Sequence, residues 1–151
     1  MIASTYIRSG RVLLLGAWLF TVPMSGSAQA SGLLLFGRED HKTFLGCLNC
    51  SRFASESICN RFGDYGSRFS DKSIWNRFGD YGSRFSSYSP WSRYASDPPV
   101  IVDPDGKFYG YFTANRAHSQ RTTIEALTAF LGDANWINDD LQRARDAFCE
   151  S

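Results

Sequence analysis

The sequence has little of what catalytic and nucleic-acid-binding proteins commonly use. It has only two histidines, His41 and His118, and no Gly-x-Ser-x-Gly, His-Glu-x-x-His or phosphate-loop motif. It also lacks an excess of positive charge, because 16 Lys and Arg stand against 15 Asp and Glu. A bulk electrostatic grip on nucleic acid needs clustered, surplus Lys and Arg. These absences argue against a nucleic-acid partner and give hydrolytic catalysis little support.

Long apolar runs are missing after the first 30 residues. Arg8 and Arg11 precede the apolar stretch from Val12 to Val22, and Ala28-Gln29-Ala30 forms a small-x-small cleavage site. The stretch would give ~16 Å of helix against ~30 Å of bilayer hydrocarbon, which is too short for an anchor. We therefore predict a signal peptide over residues 1–30, a secreted or periplasmic protein, and no membrane span after signal removal.

The mature chain is short and nearly neutral. We expect residues 31–151 to form one domain. Loss of Arg8 and Arg11 with the signal leaves 14 basic against 15 acidic side chains.

All four cysteines lie in the mature part: Cys47, Cys50, Cys59 and Cys149. An even count in a small exported domain predicts two disulfides, with three possible pairings. We favour Cys50 with Cys59 and Cys47 with Cys149. A zinc site built from His41 and the first three cysteines is a weaker alternative, because their spacing matches no standard finger. A redox-active Cys47-Cys50 pair is weaker still, and we expect neither a metal nor a cofactor.

A triplet of a small residue, arginine and an aromatic residue recurs six times in the middle of the chain. The copies are Ser51-Arg52-Phe53, Asn60-Arg61-Phe62, Ser67-Arg68-Phe69, Asn76-Arg77-Phe78, Ser83-Arg84-Phe85 and Ser92-Arg93-Tyr94. Their spacing alternates between nine and seven residues, so the structural period is 16. A fixed period indicates one supersecondary unit used repeatedly.

The repeat, residues 51–96, is predicted to consist of short helical turns. Ser57, Ser73 and Ser89 each open a unit as helix N-caps. Gly63 and Gly79 follow six residues after their serines, where a left-handed C-terminal cap is common. We expect each unit to present aromatic residues inward.

Two hairpins, residues 33–48 and 99–113, flank the repeat. Each has apolar or aromatic runs around a polar turn. Asp103-Pro104-Asp105-Gly106 has the chemistry of a type I turn followed by a left-handed glycine. We expect the hairpins to form one small antiparallel sheet.

The C-terminal part, residues 122–149, is predicted to form a helical hairpin. Thr122 and Glu125 have capping-box spacing, and the first apolar stripe stops at Gly132. A second helix is expected to begin near Asn138. The predicted fold class is therefore α+β.

The repeat aromatics have two interpretations. They are a buried core shared between stacked units, which we favour, or a platform on which sugar rings or other planar groups bind. A disordered low-complexity segment is the third possibility, and the strict period argues against it. The predicted ligand contacts are Trp75, Trp91, Tyr65, Tyr81, Arg61 and Arg77.

The repeat Ser-Ile-x-Asn-x-Phe-Gly-x-Tyr-Gly-Ser, followed by Pro98-Pro99-Val100-Ile101-Val102-Asp103, resembles that of small exported bacterial proteins of uncharacterised function. The resemblance spans roughly Leu35 to Asn115. It implies an extracytoplasmic bacterial location and transfers no activity.

The sequence favours a non-enzymatic structural or binding protein of the cell envelope. Its partner would be a cell-envelope glycan or another envelope protein. The alternative is a small secreted hydrolase using His118 with a nearby Ser or Asp.

Overall fold

The computed structural model describes residues 32–151, so the predicted signal peptide lies outside the described residues. Four strands form one antiparallel sheet in the order β2-β1-β3-β4. They are β1 Leu34–Gly37, β2 Thr43–Cys47, β3 Val100–Val102 and β4 Phe108–Tyr111. Both predicted hairpins are present, and they join through antiparallel pairing of β1 with β3. The predicted small sheet is confirmed.

The centre of this sheet is set by two apolar strands. Leu35 pairs with Ile101 across β1 and β3, and both side chains are fully buried. Apolar residues opposite each other on adjacent strands stabilise such a pair. Each hairpin therefore buries apolar side chains against the other that it could not bury alone.

The turn of the second hairpin forms as predicted. The backbone N–H of Gly106 donates to the Asp103 carbonyl, and Gly106 has φ +83°, a left-handed conformation that glycine adopts without strain. The Asp103 carboxylate accepts hydrogen bonds from the N–H groups of Lys107 and Asp105 and from the Tyr109 hydroxyl. The bond from Lys107 is the main cause of a lowered Asp103 pKa.

Three C-terminal helices replace the predicted two. They are α1 Glu125–Phe130, α2 Ala134–Asp139 and α3 Leu141–Glu150. The side chains of Asp133 and Asp140 cap α2 and α3 by accepting from backbone N–H groups three residues on. Helix α2 lies largely in the stretch expected to link the two helices, and α3 begins at Leu141 and not near Asn138. The α+β class is confirmed.

The Thr122 capping box does not form. The Thr122 hydroxyl accepts from the N–H of Ile124, and α1 begins later, without a side-chain cap. Among residues 32–151, no helix combines the length and the apolar character needed to cross a bilayer.

The repeat, residues 51–96, is a succession of β-turns, and the prediction of short helical turns is wrong. The carbonyl of Ser57 accepts from the N–H of Asn60, and the carbonyl of Asn60 accepts from that of Gly63. Only about every third residue takes part in such a bond, whereas a helix would bond every residue. Ser57 is therefore the first residue of a turn and not a helix cap.

One coil takes 16 residues, in four turn steps of three residues and one step of four. The first coil is residues 57–72, the middle coil is residues 73–88, and the third begins at Ser89. The longer step runs from Gly63 to Ser67 and recurs from Gly79 to Ser83. Gly82 lies just before the end of this step, where an added Cβ would sit 2.0 Å from the Asn76 carbonyl oxygen. Only glycine lets the chain pass there.

One hydrophobic core joins the sheet, the coils and the helices. Its largest fully buried side chains are Trp75, Trp91, Phe112, Leu35, Leu45, Ile58, Ile74, Ile101, Leu131 and Ile137. The helices also bind the coils directly, since the Gln142 and Asn138 side-chain amides donate to the carbonyls of Trp75 and Trp91. The coils are thus held between the sheet and the helices.

Candidate ligand-binding surface

The coils place the six triplet aromatics outside the protein in two rows. Residues 16 apart occupy equivalent positions on successive coils, and this defines the members of each row. The first ring row is Phe53, Phe69 and Phe85, and the second ring row is Phe62, Phe78 and Tyr94. All six side chains are 78 to 99% exposed. The expectation that these rings face inward is wrong.

The same turn geometry holds buried and exposed rings. Ser73 begins the turn that carries Trp75, and Asn76 begins the turn that carries Phe78. In both turns the first side chain accepts a hydrogen bond from the N–H of the ring residue. The middle residue differs: Ile74 precedes the buried tryptophan, whereas Arg77 precedes the exposed phenylalanine.

This difference is the sequence signal that the motif analysis missed. An apolar residue before the ring marks a turn that faces the core. An arginine before the ring marks a turn that faces the solvent, because a guanidinium is costly to bury without a partner.

The predicted contact set is wrong for its two tryptophans. Trp75 and Trp91 are fully buried, and their indole N–H groups donate to the carbonyls of Ile58 and Ile74. Tyr81 is also buried, so none of these three rings is available to a ligand. Tyr65 is half-buried and packs edge-on against Phe44.

The arginines of the first ring row lie over their own rings. The guanidinium carbons of Arg52, Arg68 and Arg84 lie 5.8, 4.7 and 5.7 Å from the centroids of the phenylalanines that follow them. Cation–π contacts of this kind hold the side chain along the ring. Within residues 32–151, none of the three forms an ion pair.

The arginines of the second ring row face the helices. Arg61, a predicted contact residue, is exposed and pairs with Asp146 of α3 at 2.7 Å. Arg93 donates to the Asn135 side chain of α2. Arg77, also a predicted contact, is exposed and has neither a hydrogen bond nor an ion pair with any residue of the described range.

A buried arginine adds positive charge beside the second ring row. Arg145 is 5% exposed, donates to the Gly66 carbonyl, and lies 3.6 Å from Asp146. Burial lowers its pKa, and the nearby charge of Arg61 lowers it further. The Asp146 carboxylate is therefore shared between two guanidinium groups.

Two disulfides are present, and the predicted pairing is wrong. Cys47 pairs with Cys50, and Cys59 pairs with Cys149. The chain reverses after β2, which brings the first two cysteines to a Cα separation of 5.6 Å. Helix α3 runs beside the coils and places Cys149 at the first coil. The zinc alternative loses its thiolate ligands, because no cysteine of the described chain is free.

The hydrolase alternative gains no support from the surroundings of His118. Its ring packs on Tyr111 with centroids 4.3 Å apart, and its Nδ1 accepts from the N–H of Gln120. His41 also contacts Tyr111, with its Nε2 3.4 Å from the Tyr111 hydroxyl. A catalytic histidine would need a nucleophile and an orienting carboxylate in hydrogen-bond reach. Within residues 32–151, His118 has a hydrogen bond to neither.

Comparison with known proteins gives no relative from which a function could be transferred. The chain matches no protein-family model, no curated protein and no solved structure.

Proposed function

We propose that this is an exported, non-enzymatic protein that binds a cell-envelope glycan through its two ring rows. The observation that carries the proposal is the outward placement of all six triplet aromatics, each beside an arginine. Aromatic rings present flat apolar faces that pack against the faces of sugar rings.

Exposure of these rings has a cost that a structural role does not explain. Burying a Phe side chain stabilises a protein by about 1.5–3 kcal/mol, and this gain is not realised here. Phe62, at 99% exposed, contributes almost no packing to the fold. Clustered exposed apolar groups commonly mark interaction sites. A bound ligand would cover these rings and so bury the apolar surface that folding leaves exposed.

The regular spacing of the rows favours a polymer with a regular repeat. Trp75 and Trp91 are equivalent residues of adjacent coils, and their ring centroids lie 5.1 Å apart. Coils therefore succeed each other at about this interval, and each coil offers one ring per row. Successive sugar units of one glycan chain can engage successive rings.

The cysteines support an exported location. Disulfides persist in oxidising compartments and are rare in the cytosol. Together with the predicted signal peptide, the two disulfides favour a secreted or periplasmic protein, where an envelope glycan is accessible.

Sedimentation with insoluble peptidoglycan and affinity electrophoresis in soluble glycans test the proposal. The test variant replaces all six row aromatics by serine, and two further variants replace one row each. Phe108→Ser is the matched control, since Phe108 is 46% exposed and lies outside the rows. Near-UV circular dichroism verifies that the buried tryptophans remain packed.

The wild type and the control are expected to bind at least one glycan. The six-ring variant should bind it at least about tenfold more weakly, because it lacks the flat apolar faces that pack against the sugars. Equal binding by a folded six-ring variant would overturn the proposal. Failure of the wild type to bind any glycan would overturn it too, and would direct attention to an envelope protein as the partner.

A further inference from the structure

A groove runs between the two ring rows at the level of the middle coil. It has a volume of about 410 Å³. Arg77 and Phe78 of the second ring row line one side, and Arg84 and Phe85 of the first ring row line another. Asn138 and Leu141 of the helical region complete it. The groove thus combines two guanidinium groups with two exposed rings.

Arg77 differs from its equivalents on the neighbouring coils. Arg61 has the Asp146 carboxylate, and Arg93 has the Asn135 side chain. The helices thus supply a partner to the first and third arginines of this row and leave the middle one without any among residues 32–151.

The junction between α2 and α3 explains this gap. The Asn138 amide is already used, since it donates to the carbonyls of Trp91 and Ala134. Asp140 caps α3 by accepting from the N–H of Arg143. Asp139 is exposed beside it, and neither carboxylate forms an ion pair with Arg77. The side chains at this junction therefore leave the Arg77 guanidinium available to a ligand.

We propose that this groove binds the carboxylate of an acidic sugar, so that the glycan bound by the rows is a uronic-acid-type polymer. The inference rests on the proposed function and specifies its ligand class. Arg77 has free donors in the fork geometry that matches a carboxylate bidentately. Arg84 adds a second positive charge, and Phe78 and Phe85 contact the ring of the same sugar unit.

Charge balance supports an anionic ligand over a neutral one. Arg77 and Arg84 line one groove without a carboxylate partner in the described chain, and like charges in proximity repel. A bound carboxylate relieves this repulsion, whereas a neutral sugar leaves it. The near-neutral charge of the mature chain is compatible with this, because the residues that line the groove include two arginines and no carboxylate.

Isothermal titration calorimetry with two soluble probes tests the inference: an oligogalacturonate of six units and cellohexaose, which is neutral. Arg77→Gln is the test variant. Arg143→Gln is the matched control, because it removes the same charge from an exposed site on α3 outside the groove. Arg77→Lys separates bidentate recognition from charge alone.

The wild type is expected to bind the acidic probe at least about tenfold more tightly than the neutral probe, because a charge-assisted hydrogen bond contributes that much. Arg77→Gln should remove most of this preference and leave binding of cellohexaose unchanged. The Arg143→Gln control should keep the preference, and raising the salt concentration should reduce it.

Failure of this inference differs from failure of the proposed function. Equal affinity of the wild type for both probes, or an unchanged preference in Arg77→Gln, would overturn the acidic-sugar assignment while the rows still bind glycan. Absence of binding to the acidic probe by a wild type that still sediments with peptidoglycan would likewise overturn only the acidic-sugar assignment. Binding that the six-ring variant retains, or failure of the wild type to bind any glycan, would overturn both.

Discussion

The indole of Trp91 stacks on that of Trp75 with ring centroids 5.1 Å apart and an angle of 26° between the planes. Each indole N–H donates to a backbone carbonyl of the preceding coil, Trp91 to Ile74 and Trp75 to Ile58. Each tryptophan thus buries a large apolar ring while its one polar group, the indole N–H, keeps a hydrogen-bond partner. The indole hydrogen bond recurs on two successive coils, whereas the stack occurs once among them, because Cys59 occupies the equivalent position on the preceding coil.

Removal of the buried ring should be costly. Trp91→Ala is expected to lower the free energy of unfolding by about 3–5 kcal/mol, since it creates a cavity and leaves the Ile74 carbonyl without its partner. Denaturant unfolding followed by far-UV circular dichroism measures this. Tyr94→Ala, three residues away and 89% exposed, is the control and should change stability by no more than about 0.5 kcal/mol. Similar losses of unfolding free energy in the two variants would contradict a buried Trp91 and an exposed Tyr94.

Gly82, within the four-residue turn step, should not tolerate a side chain. In Gly82→Ala the new Cβ would sit 2.0 Å from the Asn76 carbonyl oxygen, so the backbone must shift. We expect a loss of at least about 2 kcal/mol, as for other overpacked sites. At Gly79 the nearest atom would be the Asn76 side-chain amide at 3.2 Å, a contact that a shift of about a few tenths of an ångström relieves, so Gly79→Ala should cost less than half as much. Equal thermal melting temperatures of the two variants would count against the turn geometry.

The disulfide between Cys59 and Cys149 should contribute more to stability than the one between Cys47 and Cys50. Cys59 and Cys149 close a sequence separation of 90, whereas Cys47 and Cys50 are separated by 3. The chain-entropy relation gives about 4–5 kcal/mol for the long loop and about 2 kcal/mol for the short one. Cys59→Ser/Cys149→Ser should therefore lower the free energy of unfolding by more than Cys47→Ser/Cys50→Ser does. Non-reducing peptide mapping that recovers Cys50 linked to Cys59 would refute the pairing.

The second hairpin should lose stability in acid. The pKa of Asp103 is lowered in the folded state, mainly by the hydrogen bond from the Lys107 N–H. Its stabilising effect is therefore complete above the unfolded pKa of about 3.9 and is lost as the pH falls through the folded pKa. Asp103→Asn should flatten the fall in unfolding free energy below about pH 4. Asp105→Asn is the control, because the Asp105 carboxylate accepts no hydrogen bond within residues 32–151. Parallel acid curves for wild type and Asp103→Asn would disprove this role.

The sheet was predictable from the sequence because its signals are local. Val100–Val102, the Asp103 turn and the aromatic strand after it form a hairpin whose register depends only on nearby residues. The end of the first helix was also predictable, because Gly132 is a local stop signal and α1 ends just before it. Asp133 was missed as a cap because it precedes only one and a half turns of helix, too short for an apolar period to show.

The repeat was predictable in period but not in conformation. A serine before an apolar residue can cap a helix or begin a turn, and in both cases its hydroxyl accepts a backbone hydrogen bond. The two possibilities differ in which backbone carbonyls are used along the whole coil, and this depends on contacts 16 residues away. The disulfide pairing was missed for the same reason, because it depends on where α3 lies beside the coils.

The ring rows are tested most directly by aromatic-ring NMR of the purified protein during titration with the six-unit oligogalacturonate. The account predicts shift changes at the exposed rings of both rows, led by Phe78 and Phe85, with the indole N–H signals of Trp75 and Trp91 unmoved. Shift changes that spare both rows, or no change at millimolar ligand, would contradict it.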